Sequence, residues 1–238
     1  MFRPRAFESD RCRIIPLNGA IHIDVTADPP PALDGHAKAE WNRKLSENPK
    51  LFDGPILSLV SLDLEAGTIC ARRERYARLA AQPTVQTGVR LLSITTAIVA
   101  HGSLLFLRRG PSVYQYPGLW EIGPSGGLSS HESPIRCINE AMIRAAGADE
   151  IEEEIGLTLP IASIGLPIAL LRDDSAASDD LVMVADASDH IGEHQPPVLN
   201  WENSRARWVS LSELGRFAAE ETASLTPPSR AFLNSIID

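Results

Sequence analysis

The chain has 238 residues, is 44% hydrophobic and 22% charged, and carries a formal net charge of −9. That length allows one good core plus an added subdomain, and the acidic balance argues against a broad nucleic-acid surface, which needs a basic footprint. No apolar run approaches the ~18 residues of a membrane span, and Cys12, Cys70 and Cys137 are too scattered for a disulfide framework or a metal knuckle. The basic segment Met1–Arg13 lacks an apolar stretch, so no secretion signal is expected. The expectation is a cytoplasmic protein with no nucleic-acid or membrane partner, its oligomeric state left open.

In chain order, Ile14–Thr26 partly alternates and predicts a strand. Pro29 to Pro31 must be extended or turning. His36–Asn48 predicts a helix with Trp41 and Leu45 on one side, stopped by Pro49. Ile56–Leu64 reads as a strand, and Ala71–Ala81, with Arg72, Arg73, Arg75 and Arg78, as a helix. Val89–Ala100 and Leu104–Arg108 read as a strand pair turning at His101-Gly102. A loop at Pro111–Gly118 precedes a short strand at Leu119–Ile122. A helix is predicted from about Pro134 to Ile155, with Gly147 as a kink or break. Strands at Ile161–Leu171 and Leu181–Ala185 flank an exposed loop at Arg172–Asp180. Ala206–Ser210 is a last strand and Leu211–Glu220 a last helix. Strands around a central helix, with another helix at the end, predict an α/β fold. Its form is an α/β/α sandwich on a mixed sheet, with a small N-terminal α+β extension. The expected division is residues 1–86 for the extension and 87–238 for the main domain.

Gly126–Leu157 carries the most chemistry. A glycine pair follows a short apolar segment, and a helical pattern then ends in a carboxylate cluster. Glu150, Glu153 and Glu154 stand at i, i+3 and i+4, on one helix face. Like charges so placed destabilise a bare helix by roughly 0.2–0.5 kcal/mol per pair. A hard cation would reverse that cost, because Mg²⁺ prefers carboxylate oxygens. Taken alone, such an acidic run is more often a solvated helix face. Here a Gly-Gly turn precedes it, and Gly156 suits a left-handed helix end with Pro160 just beyond.

This stretch resembles the box of the Nudix family: a glycine, an early Glu, then Arg-Glu-apolar-x-Glu-Glu-x-Gly-apolar. Asp149 to Leu157 matches the second half, except that Asp149 replaces the Arg. The early Glu is Glu132, with nine extra residues before Asp149, or Glu140, one residue out of register. Outside the box, Trp41 to Pro55, Tyr76 and Tyr116 to Trp120 resemble the family's UDP-glucose-hydrolysing branch, which also has a lengthened box without the Arg.

The resemblance implies a Mg²⁺-dependent (or Mn²⁺-dependent) diphosphatase for a nucleotide-linked small molecule, with a UDP-sugar as leading substrate. It implies Gly126, Glu150, Glu153 and Glu154 as metal ligands. Glu154 or Glu150 is the candidate base, with Glu202 as a second candidate that reads equally well as a loop carboxylate. Arg108 or Arg109 would clamp phosphate, and Tyr76 would touch substrate. Trp41 and Phe52 would fix the extension against the main sheet, beside a base or sugar pocket. Diphosphatases for ADP-ribose, coenzyme A or another nucleotide, and a non-catalytic nucleotide-binding domain, are the alternatives. His190 and His194 superficially suggest a metal pair, but Gly192 and Pro196-Pro197 disfavour the helix it needs. His131 reads as a loop histidine.

Overall fold

A computed structural model describes residues 2–82, 84–129, 135–193 and 195–237, so the expectations placed on His131, Glu132 and His194 lie outside the described residues. The elements run β1 (Phe7–Glu8), β2 (Cys12–Pro16), β3 (His22–Val25), α1 (Gly35–Glu47), β4 (Pro55–Asp63), β5 (Thr68–Arg75) and α2 (Tyr76–Ala81). They continue with β6 (Leu91–Ala100), β7 (Ser103–Arg109), β8 (Trp120–Ile122), β9 (Ser125–Gly127), β10 (Cys137–Ile138) and α3 (Glu140–Ile155). β11 (Ala169–Asp173), β12 (Ser178–Asp186), β13 (Asn203–Ser210), α4 (Leu214–Glu220) and α5 (Pro227–Ile236) complete the chain.

Among the described residues, one 13-stranded mixed sheet runs through the fold. β12 lies parallel to β6 and β3 parallel to β5, whereas β6–β7, β7–β13 and β11–β12 are antiparallel. Alternation along the strands supplies two apolar faces. On one, Leu92, Ile94 and Ile98 of β6 and Met183 of β12 meet Ile143, Ile151 and Ile155 of α3. On the other, Ala97, Phe106 and Leu171 meet Phe217 of α4 and Phe232 of α5. The three-layer sandwich on a mixed sheet is the observed architecture. The division at residue 86 stays a proposal: β2 of the extension pairs with β11, while β3, β4 and β5 join the sheet elsewhere.

Local chemistry explains several departures from the sequence expectations. The strand expected at Ile14–Thr26 is two strands, parted around Gly19, whose φ is +111°. Arg72, Arg73 and Arg75 lie on strand β5, which pairs along its length with β4 and buries Ile69, Ala71 and Glu74; only Tyr76–Ala81 is helical. Ile161–Leu171 divides into a short 3-10 turn at Ile161–Ser163 and β11. The loop expected at Arg172–Asp180 shrinks to a turn between β11 and β12. Asp173 and Asp179 are fully buried, the first accepting from Tyr116 and the second paired with Arg90 and Arg172. Gly147 neither kinks nor splits α3. Helix α5 was not foreseen, although Thr226 caps it and Pro227 sits at its permissive first turn. Cys137 is exposed. Trp41 is buried against Tyr76, Ala77 and Ala80 of α2, inside the extension and not against the main sheet as expected, and Phe52 is 76% exposed.

Gly110, at the end of β7, lets the chain at Trp201–Glu202 lie against it. Its amide donates to the Glu202 carbonyl at 2.6 Å, and a Cβ there would stand 2.7 Å from the Trp201 carbonyl oxygen. Gly110→Ala is therefore expected to lower stability by about 1–3 kcal/mol. Urea denaturation checks this, and an unchanged midpoint would show that the two segments part at no cost.

Candidate active site

The carboxylate face of α3 meets the ends of β7, β8, β9 and β13. Asn139 caps the helix by accepting from the Met142 amide, and Gly156 ends it in the left-handed region, with φ 62°. From that frame Glu150 reaches β9 so closely that a Cβ on Gly126 would lie 1.9 Å from its Oε1. A side chain at Gly126 would push the Glu150 carboxylate out of this position. One turn on, the buried Glu154 accepts from the Ser125 amide at 3.1 Å and from the Asn203 amide group at 2.6 Å. Glu153, on the same face, is exposed.

Charge accumulates around this helix end. Arg109 donates to both oxygens of the buried Glu121 at 2.7 Å. Burial pulls the guanidinium down, but Glu121 more than offsets it, so Arg109 is held above its ordinary value. Burial raises Glu121 against the pull of Arg109. Burial, then Glu153 and Glu202, push Glu150 up to about 7. Burial and Glu121 raise Glu154, against the hydrogen bond from Asn203. Glu202 is raised by burial, with Arg109 opposing. Carboxyl groups crowded into a desolvated site hold their protons until a cation balances them.

The structure thus brings together Gly126, Glu150, Glu154, Glu202 and Arg109. Arg108 is elsewhere: its Nε donates to the Gly118 carbonyl and it lies over the Trp120 ring. Alternation along β7 turns the two arginines to opposite faces. Tyr76 lines a cleft shared with Arg109 and Glu202, beside the helix carboxylates. Glu140 begins α3, roughly 15 Å along the axis from Glu150 at 1.5 Å per residue, so it is no partner for the cluster. Sequence reading missed Glu121 and Asn203. A lone Glu in the apolar run Trp120-Glu121-Ile122 was a usable signal, since buried carboxylates are paired; Asn203 gave none.

Among the described residues, no group of three His, Cys, Asp or Glu side chains is placed to hold an ion as the side chains stand. The reason is local. Glu154 is turned onto Ser125 and Asn203, and Glu150 lies against Gly126. The donor set nevertheless fits a hard divalent cation, being carboxylate oxygens beside a glycine that leaves backbone accessible.

No family model matches the chain. An isopentenyl-diphosphate delta-isomerase of Cereibacter sphaeroides is 25% identical over 156 residues, 62% of this chain and 79% of the isomerase. Among solved structures, a MutT NUDIX hydrolase from Burkholderia pseudomallei is 22% identical, covering 62% of this chain and 98% of its own, at a TM-score of 0.43. A NUDIX hydrolase from Nitrosomonas europaea is 18% identical, covering 61% and 87%, at a TM-score of 0.42.

A pH dependence follows from Glu150. Its folded value of about 7 lies above the ordinary 4.5. As pH rises, the unfolded chain therefore releases this proton first, and stability falls between those two values before levelling off. Chelator-treated protein is expected to be less stable to urea at pH 8 than at pH 5, with Glu150→Gln flattening that slope. An unaltered slope in the variant would remove Glu150 as its source.

Proposed function

We propose that the chain is a Nudix-type diphosphatase that hydrolyses a nucleotide-linked diphosphate, with a UDP-sugar, cleaved to UMP and sugar 1-phosphate, as leading substrate. The observation that carries this reading is the meeting of Glu150 with Gly126, beside Glu154, Glu202 and Arg109, at one end of the sheet. The isomerase relative is named for a diphosphate substrate, which agrees with the substrate class at its coarsest. The UDP-sugar assignment rests on the branch resemblance of Trp41–Pro55 and Tyr116–Trp120.

Glu150, Glu153, Glu154 and Gly126 would hold Mg²⁺, or Mn²⁺ in its place. When bound, the ion supplies charge neutralisation of the diphosphate oxygens. Arg109 faces the same charge, tethered by Glu121 so that little ordering is needed when substrate arrives. A water oxygen forms a bond to one phosphorus while the bridging P–O bond breaks, and its electron pair leaves with the departing phosphate. The water's proton passes to a carboxylate, Glu202 or Glu154, and then to solvent. Glu202 faces Arg109, Glu153 and Glu121 across the site, and burial raises its pKa above the ordinary value. Residues 1–86 would add recognition to a catalytic unit at 87–238.

A second reading, nucleotide capture without turnover, is favoured by one observation: both oxygens of Glu154 are already engaged by protein donors. One assay separates the two. Protein with Mg²⁺ is incubated with UDP-glucose, ADP-ribose, coenzyme A and isopentenyl diphosphate, and products are identified by mass. UMP and glucose 1-phosphate are expected, with Glu153→Gln and Glu154→Gln each lowering turnover about 10²-fold or more while remaining folded. Turnover of another compound would replace the substrate, and none at all would favour capture.

A further inference from the structure

Beside the carboxylate cluster lies a cleft between the N-terminal extension and the loop after β7. Phe52, Tyr114 and Trp201 are 76%, 39% and 51% exposed. They are the exposed aromatic side chains among the described residues, and all three line this cleft. Exposed aromatics gathered at one concavity mark a binding site more often than chance scatter does. The chain has only three lysines, and two of them sit on these rings. The Lys50 Nζ is 4.8 Å from the centroid of Trp201, and the Lys44 Nζ is 4.3 Å from that of Tyr114. Lys44 is buried and donates to the Tyr114 hydroxyl, so in a protein of net charge −9 Lys50 is the lysine that borders the aromatic mouth. The floor continues to Arg109 and Glu202, which border the carboxylates.

We infer that this cleft binds the planar heteroaromatic ring of a nucleotide, stacked at Phe52 and Trp201, with its phosphate directed past Lys50 toward Arg109. The inference deepens the diphosphatase reading and rests on it for the direction of the phosphate. An aliphatic chain would fill the cleft without using Lys50. A bare phosphate would use Lys50 and Arg109 without needing three exposed rings. A nucleotide uses both, since each base offers a π-face and each phosphate a charge.

The test is titration calorimetry with full-length protein carrying Glu153→Gln, in EDTA, so that nothing is hydrolysed. UMP, AMP, ribose 5-phosphate and isopentenyl diphosphate are the probes. Saturable binding of UMP or AMP is expected, weakened tenfold or more by Trp201→Ala and by Phe52→Ala. Leu64→Ala, an exposed leucine outside the cleft, should leave it unchanged. Near-ultraviolet circular dichroism confirms that each variant stays folded. The inference is overturned if neither nucleotide binds at millimolar concentration, or if both cleft substitutions leave binding intact. It is equally overturned if ribose 5-phosphate or isopentenyl diphosphate binds as tightly as the nucleotides. Nucleotide binding here without turnover of any diphosphate would sink the hydrolase reading and leave this one standing.

Discussion

The arrangement turns on the burial of Glu154. An unpaired carboxylate taken out of water costs several kcal/mol, so a helix ending in such a residue docks only where donors wait for it. Ser125 offers its main-chain N–H from β9, and Asn203 its side-chain amide from β13. One carboxylate therefore ties α3 to two strands that are remote in sequence. Asn203 can reach because the register between β13 and β7 shifts between Asn203 and Arg205, and an irregularity of this kind re-aims a side chain at the rim of a sheet. The close approach of Glu150 to Gly126 then follows from the same docking.

The end of α3 imposes a second constraint. Its last carbonyls need donors from outside the helix. Those of Glu154 and Ile155 accept from the amides of Asn200 and Val198, at 2.9 and 3.1 Å. The segment that completes the helix is thus the one that carries Trp201, Glu202 and Asn203. Gly147 contributes from the middle of the helix. A Cβ there would meet the Met183 Cε at 2.7 Å and the Thr96 Oγ1 at 3.0 Å, so its absence lets α3 settle onto β6 and β12. The glycine taken in sequence as a break is a packing residue.

What the sequence made legible was what local pattern determines. The helix at His36–Asn48, the hairpin at His101-Gly102, the left-handed Gly156 and the carboxylate face of α3 all follow from caps, turn residues and periodicity within a few positions. The illegible parts depended on partners far along the chain. Asp173 and Asp179 looked like solvated loop residues because nothing nearby shows that Tyr116, Arg90 and Arg172 will enclose them. The arginine-rich stretch before Tyr76 looked helical because its buried residues there, Ala71 and Glu74, are small or charged and carry little hydropathy signal. Arg108 and Arg109 could not be told apart until the pleat of β7 assigned them to opposite faces. Glu202 could be named from sequence but not placed, since its neighbours Glu121 and Glu150 come from other elements.

The two halves of the proposed site are also built with different stiffness. The carboxylates rest on a helix, three strands and buried hydrogen bonds, as a constellation that must hold its geometry requires. The cleft beside them is made from connecting segments, which tolerate change while a rigid scaffold positions them. One of these is anchored in a specific way. Arg75 gives α2 no side-chain cap, and Asp53 supplies it from across the chain, accepting from the Ala77 amide at 2.9 Å and pairing with Arg75. The Tyr76 amide donates in turn to the Gly54 carbonyl. Phe52 is thus exposed on a segment whose next two residues are fixed to α2. An exposed ring on an anchored backbone loses less freedom on meeting a ligand than one on a free loop, which accounts for an aromatic side chain being left in solvent there.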